Sequence, residues 1–333
     1  MTYTEFYDQL KAGKLNNVYF FYGEEAYVKA DALAKLRAAI LEKGSEAMNE
    51  TVFEGGTAQD VMEAADQLPL FSDRRLTVVY DFPPLLPRKA RDEESETAKI
   101  IDWLPRAPET GVVVFYLRSE GDGRKKLYKK LNEVCGVEFA LLTEVEAARW
   151  AVRRAKGLGC AMDGSTAEQL VFMVGRQLMG LDGELQKLCA YAMDRGRITG
   201  EDLEKAVTPS GECTVFQMID AAAAGKPLEA RRLTRHLVDR GESRLGVAAM
   251  VTRQIRILTH ASMLREDALQ KALDMSPYAA RRAKRQAERL DPKKLRRAYE
   301  AAVDIDFQVK NGKLREEIAL DETLSLLDTL VKK

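Results

Sequence analysis

The 333-residue sequence is poor in the side chains that most often carry chemistry, with two histidines, two tryptophans and four cysteines. His236 and His260 form no i, i+4 pair and have no carboxylate cluster beside them, which excludes the usual metal-hydrolase patterns and His-centred acid–base sites. Cys135, Cys160, Cys189 and Cys213 are too widely spaced for a zinc site or a redox CxxC pair, so all four read as buried free thiols and no metal is expected. Long apolar runs are missing too. The strongest, Val112–Leu117, falls far short of the roughly 20 residues that span a bilayer, so no membrane partner is expected. The start, Met1–Asp8, lacks the basic and apolar regions of a secretory signal, and the expected location is cytoplasmic. There is no excess charge of either sign, since 52 basic side chains balance 52 acidic ones.

What is present is globular material: 46% hydrophobic and 31% charged residues, in a length that suits two or three domains at roughly 150 residues each. The neutral total conceals a segregation, because residues 231–300 hold 18 basic against 8 acidic side chains. Such a field attracts nucleic-acid phosphates even on a neutral protein, since screening acts over about 8–10 Å. The competing reading is a solvated helix surface.

Through the first 140 residues, short β-branched or aromatic runs alternate with helical patterns, the form of an α/β domain with a mainly parallel sheet. The expected strands are Val18–Tyr22, Thr51–Phe53, Leu76–Tyr80, Val112–Leu117 and Val137–Leu141. Tyr27, Ala30, Leu33, Ala34 and Leu36 give one helical stripe, and Val61, Met62, Ala65 and Leu68 another. Pro83–Pro87 followed by the charge run Arg88 to Glu96 reads as a mobile surface loop. From Thr143 onward helix starts dominate. Thr143 with Glu146 and Ser165 with Glu168 match the capping box, and Thr199–Asp202 opens another helix. Ser276-Pro277 and Asp291-Pro292 set a capping side chain before a proline at the first helical position. Ala279, Ala283, Ala287 and Leu290 then form a narrow apolar stripe amid Arg281, Arg282, Lys284, Arg285 and Arg289. Three domains are expected: 1–142 α/β, 143–210 small and helical, and 211–333 helical, divided at Thr208-Pro209-Ser210-Gly211.

The strand Val18–Tyr22 runs into Gly23, where a phosphate-binding loop would sit, but the continuation Glu24–Asp31 holds no GxxxxGK[ST]. Glu24 and Glu25 bring carboxylates to a helix N-terminus and would repel a triphosphate, so no cofactor is expected. Asp81 is placed like a magnesium-binding strand-end aspartate, yet Phe82 follows it, and a cap or turn role suits it better. No nucleophile elbow, triad order or kinase signature occurs. The chain reads as a binding protein without a catalytic site. Gly123–Leu131 is a basic helical segment with Leu127 and Leu131 facing inward, either DNA-facing or a solvated flank.

The most informative segment is Gln67–Arg75. Proline ends the preceding helix, and Leu70 and Phe71 stand together before polar and basic residues. The pair either fills the domain core beside the next strand, as average burial favours, or forms a wedge for a partner's hydrophobic pocket, each anchor contributing about 1.5–3 kcal/mol.

Taken in order, Val18–Glu25, Leu68–Phe71 with Arg74, Arg124–Lys129 and Asp306–Gly312 resemble the delta subunits of bacterial DNA polymerase III, a clamp-loader family, over essentially the whole chain. The resemblance implies an AAA+-like first domain without ATPase machinery, a lid-like helical domain and a C-terminal collar. It implies a hetero-pentamer with tau/gamma and delta prime subunits, which opens the sliding clamp (the beta subunit) for loading on primed DNA during replication. Leu70 and Phe71, with Leu68, match the family's clamp-binding positions, while Pro69 departs from the small or polar residues that relatives can carry. Candidate DNA contacts are Arg281, Arg282, Lys284, Arg285, Lys293 and Lys294. The alternative is a stand-alone nucleic-acid-binding protein using the basic C-terminal helices.

Overall fold

Five short β-rich runs form a single parallel sheet in the first of two units, Met1–Leu141; the second unit is Leu142–Lys333. The computed structural model describes residues 1–42, 44–88 and 92–330. The first unit contains α1 (Tyr3–Lys11), β1 (Val18–Tyr22), α2 (Ala26–Ile40), α3 (Glu46–Asn49), β2 (Glu50–Glu54) and α4 (Ala58–Asp66). It continues with β3 (Arg75–Tyr80), α5 (Glu93–Trp103), β4 (Gly111–Tyr116), α6 (Lys126–Cys135) and β5 (Gly136–Glu138).

The strand order is β2-β3-β4-β1-β5 with every pair parallel, in agreement with the mainly parallel sheet read from the sequence. A parallel sheet needs cover on both faces, and the alternation along β1 supplies it. Tyr19 and Phe21 meet Phe6 of α1 edge-on at 5.5 and 5.2 Å. Val18 and Phe20 point the other way, into a core with Val61, Ile100, Leu127 and Leu131 of α4, α5 and α6. The inward placement of Leu127 and Leu131 agrees with their spacing.

Some expectations need correction. On α2 the buried face is Val28, Lys29, Ala32, Leu33, Leu36 and Ile40, while Ala30 and Ala34 are exposed, so the stripe is rotated toward a buried lysine that sequence hydropathy could not include. The last strand stops at Glu138. Phe139 then donates its N–H to the Tyr22 carbonyl and accepts the Glu25 N–H, turning its backbone toward the loop after β1. Pro83–Leu85 is a 3₁₀ turn rather than a mobile loop, for the two prolines fix the backbone while Phe82 and Leu85 are fully buried. Glu93 to Glu96 form the first turn of α5; residues 89–91 of that stretch lie outside the described residues.

The second unit begins with α7 (Glu144–Gly157), α8 (Gly164–Val174), α9 (Leu178–Tyr191) and α10 (Gly200–Ala206). Then follow α11 (Gly211–Ala223), α12 (Pro227–Asp239), α13 (Arg244–Met263), α14 (Glu266–Leu273), α15 (Pro277–Ala287), α16 (Pro292–Lys310) and α17 (Glu316–Thr329). Thr143 and Glu146 make the expected capping box, and Ser276 and Asp291 cap α15 and α16. Ser165 does not cap α8. The helix already begins at Gly164, and the Asp163 carboxylate accepts the Thr166 N–H, which places the cap ahead of Ser165. Around α13, Val247, Val251, Ile255 and Leu258 pack with Ile219, Ala283, Leu295 and Leu327 of the neighbouring helices. The stretches 143–210 and 211–333 both fall in this unit, and the Pro/Ser/Gly cluster lies between α10 and α11. No helix among the described residues is long and apolar enough to cross a membrane.

Candidate functional site

Three places carry the expectations: the loop after β1, the segment after α4, and the basic helices of the second unit. The loop after β1 is closed by the chain itself. Gly23 adopts φ +113°, and a Cβ there would overlap the Phe139 backbone. Glu25 caps α2 by accepting the Tyr27 N–H, and its own N–H goes to the Phe139 carbonyl at 2.9 Å. The buried Lys29 ammonium donates to the Gly23 carbonyl at 2.7 Å and the Leu117 carbonyl at 2.6 Å, with the Tyr116 ring centroid 5.2 Å away. Burial pushes the Lys29 pKa below the ordinary lysine value, with Asp81 and Glu25 opposing the shift. A phosphate loop offers free backbone amides to an anion; here an amide at the same corner already holds a carbonyl. Asp81, at φ +48°, accepts the Arg118 N–H at 2.9 Å and so ties the ends of β3 and β4 together, a turn role.

The segment after α4 is of another kind. The helix ends at Asp66, Pro69 cannot extend it, and the chain turns before entering β3. Leu68, Leu70 and Phe71 are exposed by 76%, 52% and 87%. Of the two sequence readings, core filler or knob, the geometry is that of the knob. Three large apolar side chains thus stand exposed within four residues of one short segment.

The segment is braced from beneath. Asn49, fully buried at the end of α3, donates its Nδ2–H to the Leu70 carbonyl at 2.8 Å and accepts the Leu70 N–H on Oδ1 at 2.7 Å. Ser72 donates its hydroxyl to the Arg74 carbonyl at 3.1 Å. Between these ties Phe71 sits at φ +54°, a left-handed conformation that a side chain bearing Cβ adopts at a cost of about 1–2 kcal/mol. Sequence reading missed Asn49 and Lys29. Lys29 is a polar residue within an otherwise buried helical face, and Asn49 is the one buried residue of the four-residue α3, a placement that one sequence alone does not reveal.

The six basic candidates are not brought together as one free cationic surface. Arg281 pairs with Glu168 at 3.3 Å and Glu266 at 3.9 Å. Arg282 lies over the Phe172 and Phe216 rings at 5.5 and 5.0 Å. Lys284 donates to the carbonyls of Ala261 and Leu264, both at 2.8 Å, and so closes the C-terminus of α13. Arg285 and Lys293 are exposed, and Lys294 is half-buried on the first turn of α16. The cysteines are buried; desolvation pushes Cys135 to about 12 and Cys213 to about 11, which leaves them as inert thiols.

Comparison with known proteins matches both units. The family model described as DNA polymerase III, delta subunit, spans residues 19–140, and a second, for the C-terminal domain of the same delta subunit, spans residues 212–327. The DNA polymerase III subunit delta of Bacillus subtilis (strain 168) is 26% identical over 322 residues, 94% of this chain and 93% of that protein. A probable DNA polymerase III subunit delta of Aquifex aeolicus (strain VF5) is 25% identical over 212 residues, 61% of this chain and 58% of its own length. Among solved structures, the DNA clamp loader delta protein of Bacillus subtilis shares the fold at a TM-score of 0.54 and 24% identity, covering 98% of this chain and 99% of that one. With both domains of one family matched in their natural order, the chain belongs to the DNA polymerase III delta-subunit family.

Proposed function

We propose that this chain is the clamp-binding subunit of a replicative clamp loader, opening the sliding clamp through the Leu68–Phe71 knob without a catalytic site of its own. The observation that carries the reading is the exposed Leu70–Phe71 pair on a braced loop. Burial of this outward-held pair against a partner would contribute about 1.5–3 kcal/mol per side chain. The closed corner after β1 fits the same reading, since nucleotide chemistry then belongs to other subunits of a hetero-pentamer formed with tau/gamma and delta prime.

Ring opening follows from differential affinity. If the knob and its surroundings contact the clamp better when the neighbouring interface is parted, the open state gains population by the difference in binding free energy, about tenfold per 1.4 kcal/mol. Equal affinity for both states would open nothing. Release onto primed DNA then requires that the affinity for the clamp fall, as ATP hydrolysis by other subunits would bring about. For the collar, α16 supplies apolar side chains that this chain leaves exposed, Val303 and Phe307, and these suit a neighbouring subunit.

The test is binding of the purified chain to the sliding clamp of its own organism, wild type against Leu70→Ala/Phe71→Ala, with circular dichroism to verify folding. A loss of about 3 kcal/mol or more is expected from two buried anchors. A folded double variant that binds like wild type defeats the proposal. The stand-alone nucleic-acid reading is less favoured, because Arg281, Arg282 and Lys284 are engaged within the protein.

A further inference from the structure

We propose that Asn49 is a positioning residue for the knob, fixing the Leu70 backbone so that Phe71 already points outward before the clamp arrives. The inference rests on the clamp-binding reading above and concerns how that surface is prepared. Asn49 and Leu70 are 21 residues apart, yet both hydrogen-bonding ends of one amide meet both backbone groups of one residue. Two bonds in that pattern fix the backbone in orientation as well as distance. The partner is the crest of a loop whose neighbouring side chains face solvent.

A loop without this tie would not stay as it is. Phe71 at φ +54° occupies a basin that non-glycine residues leave when nothing holds them. Once Leu70 is free to rotate, the adjacent apolar side chains can fold back on the protein surface, and only a fraction of molecules then display the knob. Apparent affinity falls in proportion to that fraction. Holding the loop in the bound geometry avoids the ordering penalty at the moment of contact. Asn49 accordingly touches no partner, and acts through Leu70.

Three measurements test this. Hydrogen exchange at the Leu70 amide should accelerate in Asn49→Ala, since Oδ1 is its acceptor. Clamp binding by Asn49→Ala should weaken about tenfold, as losing two hydrogen bonds of ordinary net strength implies. The double-mutant cycle decides between positioning and a separate contribution: added to Leu70→Ala/Phe71→Ala, Asn49→Ala should change the residual clamp affinity no further. Should Asn49→Ala fail to fold, Asn49→Asp keeps the acceptor for the Leu70 N–H but sets a second oxygen against the Leu70 carbonyl, and the same losses are expected. A folded Asn49 variant with wild-type affinity overturns the inference, as does a full further loss in the Leu70→Ala/Phe71→Ala background. Wild-type affinity in Leu70→Ala/Phe71→Ala itself removes the underlying clamp-binding reading as well, so the two failures are distinguishable.

Discussion

The Lys29 ammonium bridges two carbonyls from different elements, Gly23 at the end of β1 and Leu117 at the end of β4. It thereby fills the corner after β1 and joins the ends of two strands. Replacing it with methionine keeps most of the apolar stem but leaves both carbonyls without a donor. Lys29→Met should lower unfolding stability by about 2–4 kcal/mol in urea titrations. Burial lowers the folded pKa, so the unfolded chain holds this proton to higher pH. Wild type should therefore gain on Lys29→Met as pH rises through the folded value toward 10.5, the ordinary value. A constant difference across that range would contradict the assignment.

Phe71 sets stability against binding. Its side chain is almost wholly exposed and its backbone is left-handed, so glycine removes a steric penalty without removing core. Phe71→Gly should raise the unfolding midpoint by the equivalent of about 0.5–1 kcal/mol while weakening clamp binding. Opposite signs in one variant would mark a residue retained for contact. If thermal melts show Phe71→Gly to be destabilised, the loop gains more from the ring than its exposure implies.

Lys284 and Lys293 are close in sequence but do different work. Lys284 supplies donors to the last carbonyls of α13, whereas the Lys293 side chain is exposed at the start of α16. Lys284→Ala should cost about 1–3 kcal/mol of stability, and Lys293→Ala less than about 0.5 kcal/mol. If Lys293 meets template phosphates in the assembled loader, its removal should reduce the salt slope of DNA binding by about one, equally for all sequences. An unchanged slope assigns it to solvent.

How far the sequence anticipated these features depended on the range of the interaction. Strand and helix patterns are local: Val18–Tyr22 appears in the sheet as read, and the run read as Val112–Leu117 appears as Gly111–Tyr116. The capping box at Thr143 was legible because its partners are three residues apart. The fully buried Pro-flanked Leu85 was not, since a proline-rich run resembles a surface loop until its packing partners are known. The knob was readable as residues but undecided in exposure. Asn49, whose role is set by a partner 21 residues on, carried no local mark.

Acid should act through the helix caps. Asp163 accepts the Thr166 N–H and the Ser165 hydroxyl, both at 2.8 Å, and these bonds to the ionised form hold its pKa down to about 2 against an ordinary 3.8. The folded value lies below the unfolded one, so protonation is taken up first by the unfolded chain. The contribution is complete above the ordinary value and is lost as pH falls through about 2. Glu5, Asp60, Glu146 and Asp291 are lowered by similar cap bonds, and Asp202 chiefly by the bond from Arg195, so wild type should lose stability throughout this window. Asp163→Asn isolates one member. Asparagine offers the same acceptor without a titrating charge, so stability at neutral pH should change by only a few tenths of a kcal/mol. Its urea midpoint should then fall less steeply than wild type between about pH 4 and pH 2. Parallel curves would mean that Asp163 is no better bonded in the folded chain than in the unfolded one, which the two short bonds at α8 argue against.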